Sequence, residues 1–311
     1  MKSDKRGEHR RDEQELNSRK VRVSVIVPAF RVEAYLAETL DSILGQTMPD
    51  WECMVVVDGS LDNSEAIALQ YAARDPRIRV HSYHPNQGTS HARNRGAERT
   101  KGKYLIFIDS DDLFLPAGLQ VLADTLDAHP EAVSVYGRYE TFGEGVAPER
   151  PPLNDSLTFL ERMFEFVPMG LHISNHMVRR EAFEVIGGYD ENLFFSEDWM
   201  FWVQLAHRYP GRLIGKDSLT CRIRKHSEQL SRKLRKIENS MDSCQKMVFT
   251  MGMYPSVSYY RRSRAIFALI MSASYIKGQG NYRDGLRCAL QAFRWSPRQC
   301  FRRLVYQLRK P

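Results

Sequence analysis

GKYLIFIDSDDLFLP, residues 102–116, joins an unbroken apolar run to a knot of carboxylates. Tyr104, Leu105, Ile106, Phe107 and Ile108 are apolar and β-prone without interruption, the pattern of a strand buried on both faces of a parallel sheet. Asp109, Ser110, Asp111 and Asp112 follow at once. Three carboxylates therefore stand at the carboxyl end of that strand, where open α/β sheets form their ligand crevices. Like charges so close repel and raise one another's pKa unless a cation sits among them, and an all-oxygen set suits a hard ion such as Mg²⁺ or Mn²⁺. Such an ion implies a phosphate. The competing reading is local: Asp and Ser would cap the helix that Pro116 helps to start.

Working outward, VRVSVIV at Val21–Val27 predicts a buried first strand that stops at Pro28, because proline cannot extend a ladder. Tyr35, Leu36, Leu40, Ile43 and Leu44 share one face of a helix predicted over 31–46, weakened at its end by Gly45. Trp51–Val57 predicts a second strand, which places Asp58 at a strand's carboxyl end just as Asp109 is placed. A helix over Ser64–Arg74 and a strand over Ile78–Tyr83 follow. A turn at 86–90 then enters a helix bearing Arg93, Asn94 and Arg95. This β-α alternation specifies a doubly wound α/β fold whose loops converge on one edge.

At 311 residues and 42% hydrophobic content the chain has room for a large buried core. No apolar run approaches the roughly 20 residues of a membrane span, Ala265–Ile276 being about half that length. The first twenty residues carry no apolar core, read as a solvated and disordered tail, and give no reason to expect export. Five widely spaced cysteines without a CxxC pair point to a reducing cytoplasm. The net charge of +7 is segregated: residues 222–311 hold 20 Lys and Arg against four Asp and Glu, a net of +16, which leaves −9 for the rest. A basic third on an acidic body points to a polyanion, either anionic lipid or nucleic acid.

Six motifs, in order, resemble the family-2 glycosyltransferases with the GT-A fold, of the type that builds bacterial surface glycans. They are VSVIVPAF at the first strand, VVDGSLDNS after the second, NQGTSHARNRG, GKYLIFIDSDDLFLP, the segment Val178–Ala206 (VRREAFEVIGGYDENLFFSEDWMFWVQLA), and HSEQLSR from His226. The resemblance covers about Val21–Arg232 and implies the following. Asp111 holds a divalent metal, Mn²⁺ or Mg²⁺, with Asp109 and Asp112 assisting and His226 as a further ligand. Pro28 and Phe30 pack around the base and ribose of a nucleotide-sugar donor, and Asp58 accepts a hydrogen bond from the base, which favours uracil or thymine, a uridine donor being the first expectation. Asp109, Ser110 and Arg93 also lie on the donor side, with Arg93 reaching the diphosphate. Val57 departs from the family, where an acidic or polar residue precedes the aspartate.

Glu197 and Asp198 stand between two aromatic clusters, Phe194-Phe195 and Trp199-Met200-Phe201-Trp202. Apolar surroundings raise a carboxylate's pKa and basicity, as a general base for a sugar hydroxyl requires. The resemblance assigns the base to Asp198, with Glu197 positioning the acceptor or the loop, and puts Gly187, Gly188 and Trp199 on the acceptor side. The local alternatives are a first helical turn favoured by the helix dipole, a glycine C-cap and a core tryptophan.

Three segments follow: a tail over 1–20, a catalytic GT-A domain over 21–236 and a basic helical extension over 237–311. In the extension, patterns over Tyr259–Ile276 and Tyr282–Phe293 predict a hairpin, with Ala273 and Ala289 as its contact residues. The expected function is an inverting, metal-dependent transfer of sugar from a nucleotide-diphosphate donor to a glycan or lipid-linked acceptor. Nucleic acid is not an expected partner. The enzyme is expected in the cytoplasm, with arginines and apolar residues of 237–311 resting on the anionic inner face of the plasma membrane. The rival for that segment is pairing of its arginines with the acidic body. The alternatives in function are a sugar-nucleotide nucleotidyltransferase, which would need a Gly-rich basic first loop that Pro28-Ala29-Phe30-Arg31 lacks, and a non-catalytic basic adaptor.

Overall fold

The structure is a computed structural model that describes residues 20–143, 158–167, 169–226 and 233–301. The expected tail and most of the HSEQLSR motif lie outside these residues. Four parallel strands, β1 (Val23–Ala29), β2 (Trp51–Asp58), β3 (Ile78–Tyr83) and β4 (Tyr104–Phe107), lie in the order β3-β2-β1-β4. They alternate with α1 (Leu36–Leu44), α2 (Ser64–Arg74) and α3 (Thr89–Glu98). β4 shows why its sequence is apolar throughout. Leu105 and Phe107 enter the core on one face of the sheet, while Tyr104, Ile106 and Ile108 enter the core on the other.

Pro28 does not end the first strand, as its sequence predicts, for β1 continues through Pro28 and Ala29 in register with Val56 and Val57. The reason is positional. Pairing with β4 stops at Ile26–Phe107, so the missing N–H of Pro28 falls on the side where no partner strand remains. Gly96 lets α3 lie flat on the sheet, because a Cβ there would stand 2.4 Å from Ile26 Cγ2.

Beyond β4 the sheet turns mixed: β7 (His176–Arg179), β6 (Ser134–Phe142), β8 (Leu213–Arg224) and β5 (Leu113–Phe114) complete eight strands in that order. β4–β7, β7–β6 and β8–β5 are antiparallel pairs. α4 (Gly118–Ala128), α5 (Phe159–Glu165), α6 (Arg180–Ile186) and α7 (Glu197–Arg208) cover this half. Helix α4 has no side-chain cap, so the carboxylates at 109–112 are not there to start it.

The extension forms α8 (Leu234–Thr250), α9 (Val257–Ala273) and, after a π-turn over Ser274–Gly278, α10 (Tyr282–Trp295). It shares the core of the sheet. Tyr254 stacks on Phe164 at 4.1 Å, Phe267 packs on Phe166, and Ser263 Oγ donates to the Phe164 carbonyl at 2.6 Å. Ala265, Ala268 and Ala292 make the α9–α10 contact, whereas Ala273 is exposed and Ala289 lies at the edge. The expected hairpin forms with its inner face turned away from the predicted alanines, because Gly285, Cys288 and Ala292 are the buried positions of α10.

Candidate active site

The turn after β4 holds the three carboxylates in unequal surroundings. Asp112 is buried: its Oδ2 accepts from Ser174 Oγ at 2.6 Å and its Oδ1 from the Arg224 N–H at 2.9 Å. Burial first, and then the charges of Asp109 and Asp111, push its pKa well above the usual carboxylate range. Asp111 is raised by burial and by Asp109, with His226 opposing. A cation would relieve this repulsion. One ligand atom each from Asp109, Asp112 and His172 lie within 4.8 Å of one another. His172, with its pKa lowered by burial to about 4, presents a neutral ring nitrogen at neutral pH. Two carboxylates and one imidazole fit Mn²⁺.

The members of the expected metal set lie in two neighbouring groups. Asp109 and Asp112 join His172, while Asp111 pairs with His226, whose Nε2 lies 2.9 Å from Asp111 Oδ2. Sequence alone gave no sign of His172, which precedes a 3-10 turn at Ile173–Asn175 in an irregular stretch without a motif. Ser174 in that turn links Asp112 to the Asp109 backbone. Arg224, at the end of β8, clamps the acidic turn through its backbone N–H and through Nε to the Asp111 carbonyl at 2.8 Å.

Arg93 does not point outward from a helix start toward a diphosphate. It sits in the fifth position of α3 with its side chain 4% exposed, and it forks between Asp109 Oδ1 at 2.9 Å and Glu197 Oε1 at 2.8 Å. Burial opposes its charge, but the two carboxylates outweigh burial and raise its pKa. One guanidinium thus ties the β4 turn to the start of α7. Replacing Arg93 with Met should leave two carboxylates uncompensated. The expected loss is on the order of 3 kcal/mol, less the share that solvent screens at the more exposed Asp109, read as a lower urea midpoint.

Asp198 is partly buried in the first turn of α7, and its Oδ1 accepts from the Trp199 N–H at 2.6 Å. Burial first, and then the charge of Glu197, push its pKa up to about 7. Trp199 itself is not an acceptor platform. Its ring is 6% exposed, lies parallel to Phe166 and donates from Nε1 to the Met163 carbonyl at 3.2 Å, because that face of α7 is turned into the core. Gly187 ends α6 in a left-handed C-cap. Gly188 passes so close to Asn94 that a Cβ would meet Oδ1 at 2.6 Å. Asn94 holds this turn by pairing with both the N–H and the carbonyl of Tyr189, which explains the asparagine in the ARN segment.

Asp58 ends β2, buried, with its carboxylate turned onto the next loop. It accepts from the N–H groups of Gln87 at 2.7 Å and Gly88 at 2.9 Å, and from Asn86 Nδ2 at 2.9 Å. Val57 is wholly buried in β2, so the departure from the family pattern faces the core. Pro28 and Ser110 are buried, and Phe30 is exposed at the mouth of β1 beneath the guanidinium of Arg31.

The sequence model described as Glycosyl transferase family 2 matches residues 24–187, more than half of the chain. The chain belongs to glycosyl transferase family 2. That membership favours a transferase over the nucleotidyltransferase and adaptor alternatives. A curated relative, the glycosyltransferase EpsJ of Bacillus subtilis strain 168, is 34% identical over 191 residues, 58% of this chain and 54% of that protein. The chain thus spans about half the length of that relative, and only 36% of the Rickettsia felis glycosyltransferase it also matches. Among solved structures, S. aureus TarS 1–349 in complex with UDP-GlcNAc superposes with a TM-score of 0.64 at 19% identity, covering 87% of this chain and 81% of that one. The mannosyltransferase PcManGT from Pyrobaculum calidifontis, in complex with GDP-Man and Mn²⁺, gives 0.57 at 16% identity, with 95% and 94% covered. These structures share the GT-A fold of this chain.

Proposed function

We propose that this glycosyltransferase moves a sugar from a nucleoside-diphosphate donor, a uridine donor being favoured, to a hydroxyl of a surface glycan or lipid-linked acceptor. Anomeric configuration inverts in a single displacement. One observation carries the reading: Arg93 joins Asp109 of the acidic turn to Glu197, the neighbour of Asp198, so donor-side and acceptor-side carboxylates meet at one guanidinium. TarS was solved with UDP-GlcNAc and PcManGT with GDP-Man and Mn²⁺, which supports a nucleotide-sugar donor and a divalent ion. Residues 21–236 form the catalytic unit, and helices from 237 onward complete its core.

Asp198 takes the proton of the acceptor hydroxyl. The oxygen then bonds to the anomeric carbon as the bond from that carbon to the diphosphate breaks, and the diphosphate leaves as an anion. Bound by Asp109, Asp112 and His172, Mn²⁺ or Mg²⁺ would neutralise the charge gathering on that leaving group. Glu197 keeps Arg93 in place and its own charge raises the basicity of Asp198. Phe30 and Pro28 border the donor base at the end of β1. Asp58 fixes the 86–88 loop beside them, and the second lone pair of its Oδ1, which accepts from Gln87 alone among the described residues, would take the N–H of a uracil. NMR of the product should show the anomeric configuration opposite to that of the donor. Retained configuration would sink the single displacement.

A further inference from the structure

We propose that the outer face of α10 is a docking surface for an anionic phospholipid bilayer. This surface belongs to the extension, and the proposal does not depend on the reaction assigned above. Tyr282, Leu286, Leu290 and Phe293 are 71%, 61%, 58% and 46% exposed. At about 100° per residue they fall within about a quarter of the helix circumference, an unbroken apolar stripe. Phe301, 65% exposed, lies a few residues further along the chain. The opposite face is anchored, with Gly285, Cys288 and Ala292 buried and Trp295 packed edge-on against Tyr260. The stripe is therefore presented by a fixed helix.

Charge decides the occupant. Arg283 and Arg294 run along one flank of the stripe and Arg298 follows it, all exposed and without an acidic partner among the described residues. Three further arginines of the segment are spoken for: Arg262 pairs with Glu165, Arg264 with Asp242, and Arg287 with Glu238 and Asp284, while Arg261 on α9 is exposed. Those pairs occupy the acids near α10 and leave the stripe bordered by positive charge. A second copy is the wrong occupant, because isologous pairing would set Arg283 and Arg294 against their own images. Apolar side chains beside unpaired arginines are the arrangement of a helix lying in the interface of an anionic membrane. Arg302, Arg303 and Leu304, expected to take part, lie outside the described residues.

Cosedimentation of the full chain with phosphatidylglycerol–phosphatidylcholine vesicles tests this, against vesicles of phosphatidylcholine alone. The protein should pellet with the first at low salt, be released as salt is raised, and stay in solution with the second. Leu286→Ser/Leu290→Ser/Phe293→Ser should abolish pelleting. Each arginine near an anionic surface strengthens binding by about fivefold, so Arg283→Gln/Arg294→Gln/Arg298→Gln should weaken it by roughly a hundredfold. The arginine variant decides alone if the serine variant fails to fold. Equal binding to both vesicles, binding to neither, or variants that pellet like the parent would overturn the proposal. A dimer dispersed by the serine variant, without lipid binding, would also overturn it and make the face a contact between copies.

Discussion

An Asp198→Asn enzyme is expected to bind donor as the parent does and to lose turnover by on the order of 10²–10⁴, the usual contribution of an aligned general base. Asn keeps the hydrogen bond from the Trp199 N–H, so the first turn of α7 has no reason to unravel. The pH profile adds a second reading. With a pKa of about 7, Asp198 is an effective base only as pH rises through 7, and turnover should climb across that range to a plateau. Stability should move in the opposite direction. An unfolded aspartate titrates near about 3.9, so between that value and 7 the folded chain holds a proton that the unfolded chain has released. Stability conferred by the protonated form is therefore full below pH 4 and lost as pH rises to 7. Asn carries no such loss, and the variant should melt higher than the parent at pH 8 and alike at pH 4. An inactive variant that also melts lower would mean that Asp198 holds the fold rather than the proton.

Asp109→Asn is expected to remove Mn²⁺-dependent donor binding. The substitution takes a carboxylate from the cluster with Asp112 and His172 and at the same time weakens one arm of Arg93. Charge neutralisation by a bound ion is worth several kcal/mol, so donor affinity in Mn²⁺ should fall by two or more powers of ten, to the level of the parent in EDTA. Calorimetric titration of Mn²⁺ and donor reads this without turnover. Asp111→Asn is the informative companion: an equal loss would place Asp111 in the same ligand set, and retained affinity would leave it with His226. An Asp109→Asn protein that still binds donor more tightly with Mn²⁺ than with EDTA would move the ion elsewhere.

Much of the donor half is written in local pattern. α2 and β3 lie where their sequences predict, Asp58 and Asp109 stand at strand ends, and the apolar run of β4 divides between the two cores. Each depends on neighbours a few residues apart. The partners of Arg93 are 16 and 104 residues away, and the second bond, to Glu197, exists only because the chain beyond β4 folds back and sets the start of α7 beside α3. His172 is silent for the same reason. Trp199 shows the reverse failure: an aromatic beside a carboxylate pair looks like a sugar platform, but helix phase turns it inward onto Phe166. Pro28 signals a strand end through its missing N–H, and that loss counts only where a neighbouring strand would have received the bond.

The contact of α9 with α5 also sets an order of assembly during synthesis. Strands β1–β4 are complete once residue 107 has been made, and the acidic turn directly after them. Phe164 and Phe166, against which Trp199 of α7 packs, gain Tyr254 and Phe267 only about a hundred residues further along the chain. On the ribosome the packing that locks α7 is therefore not complete until α9 has emerged.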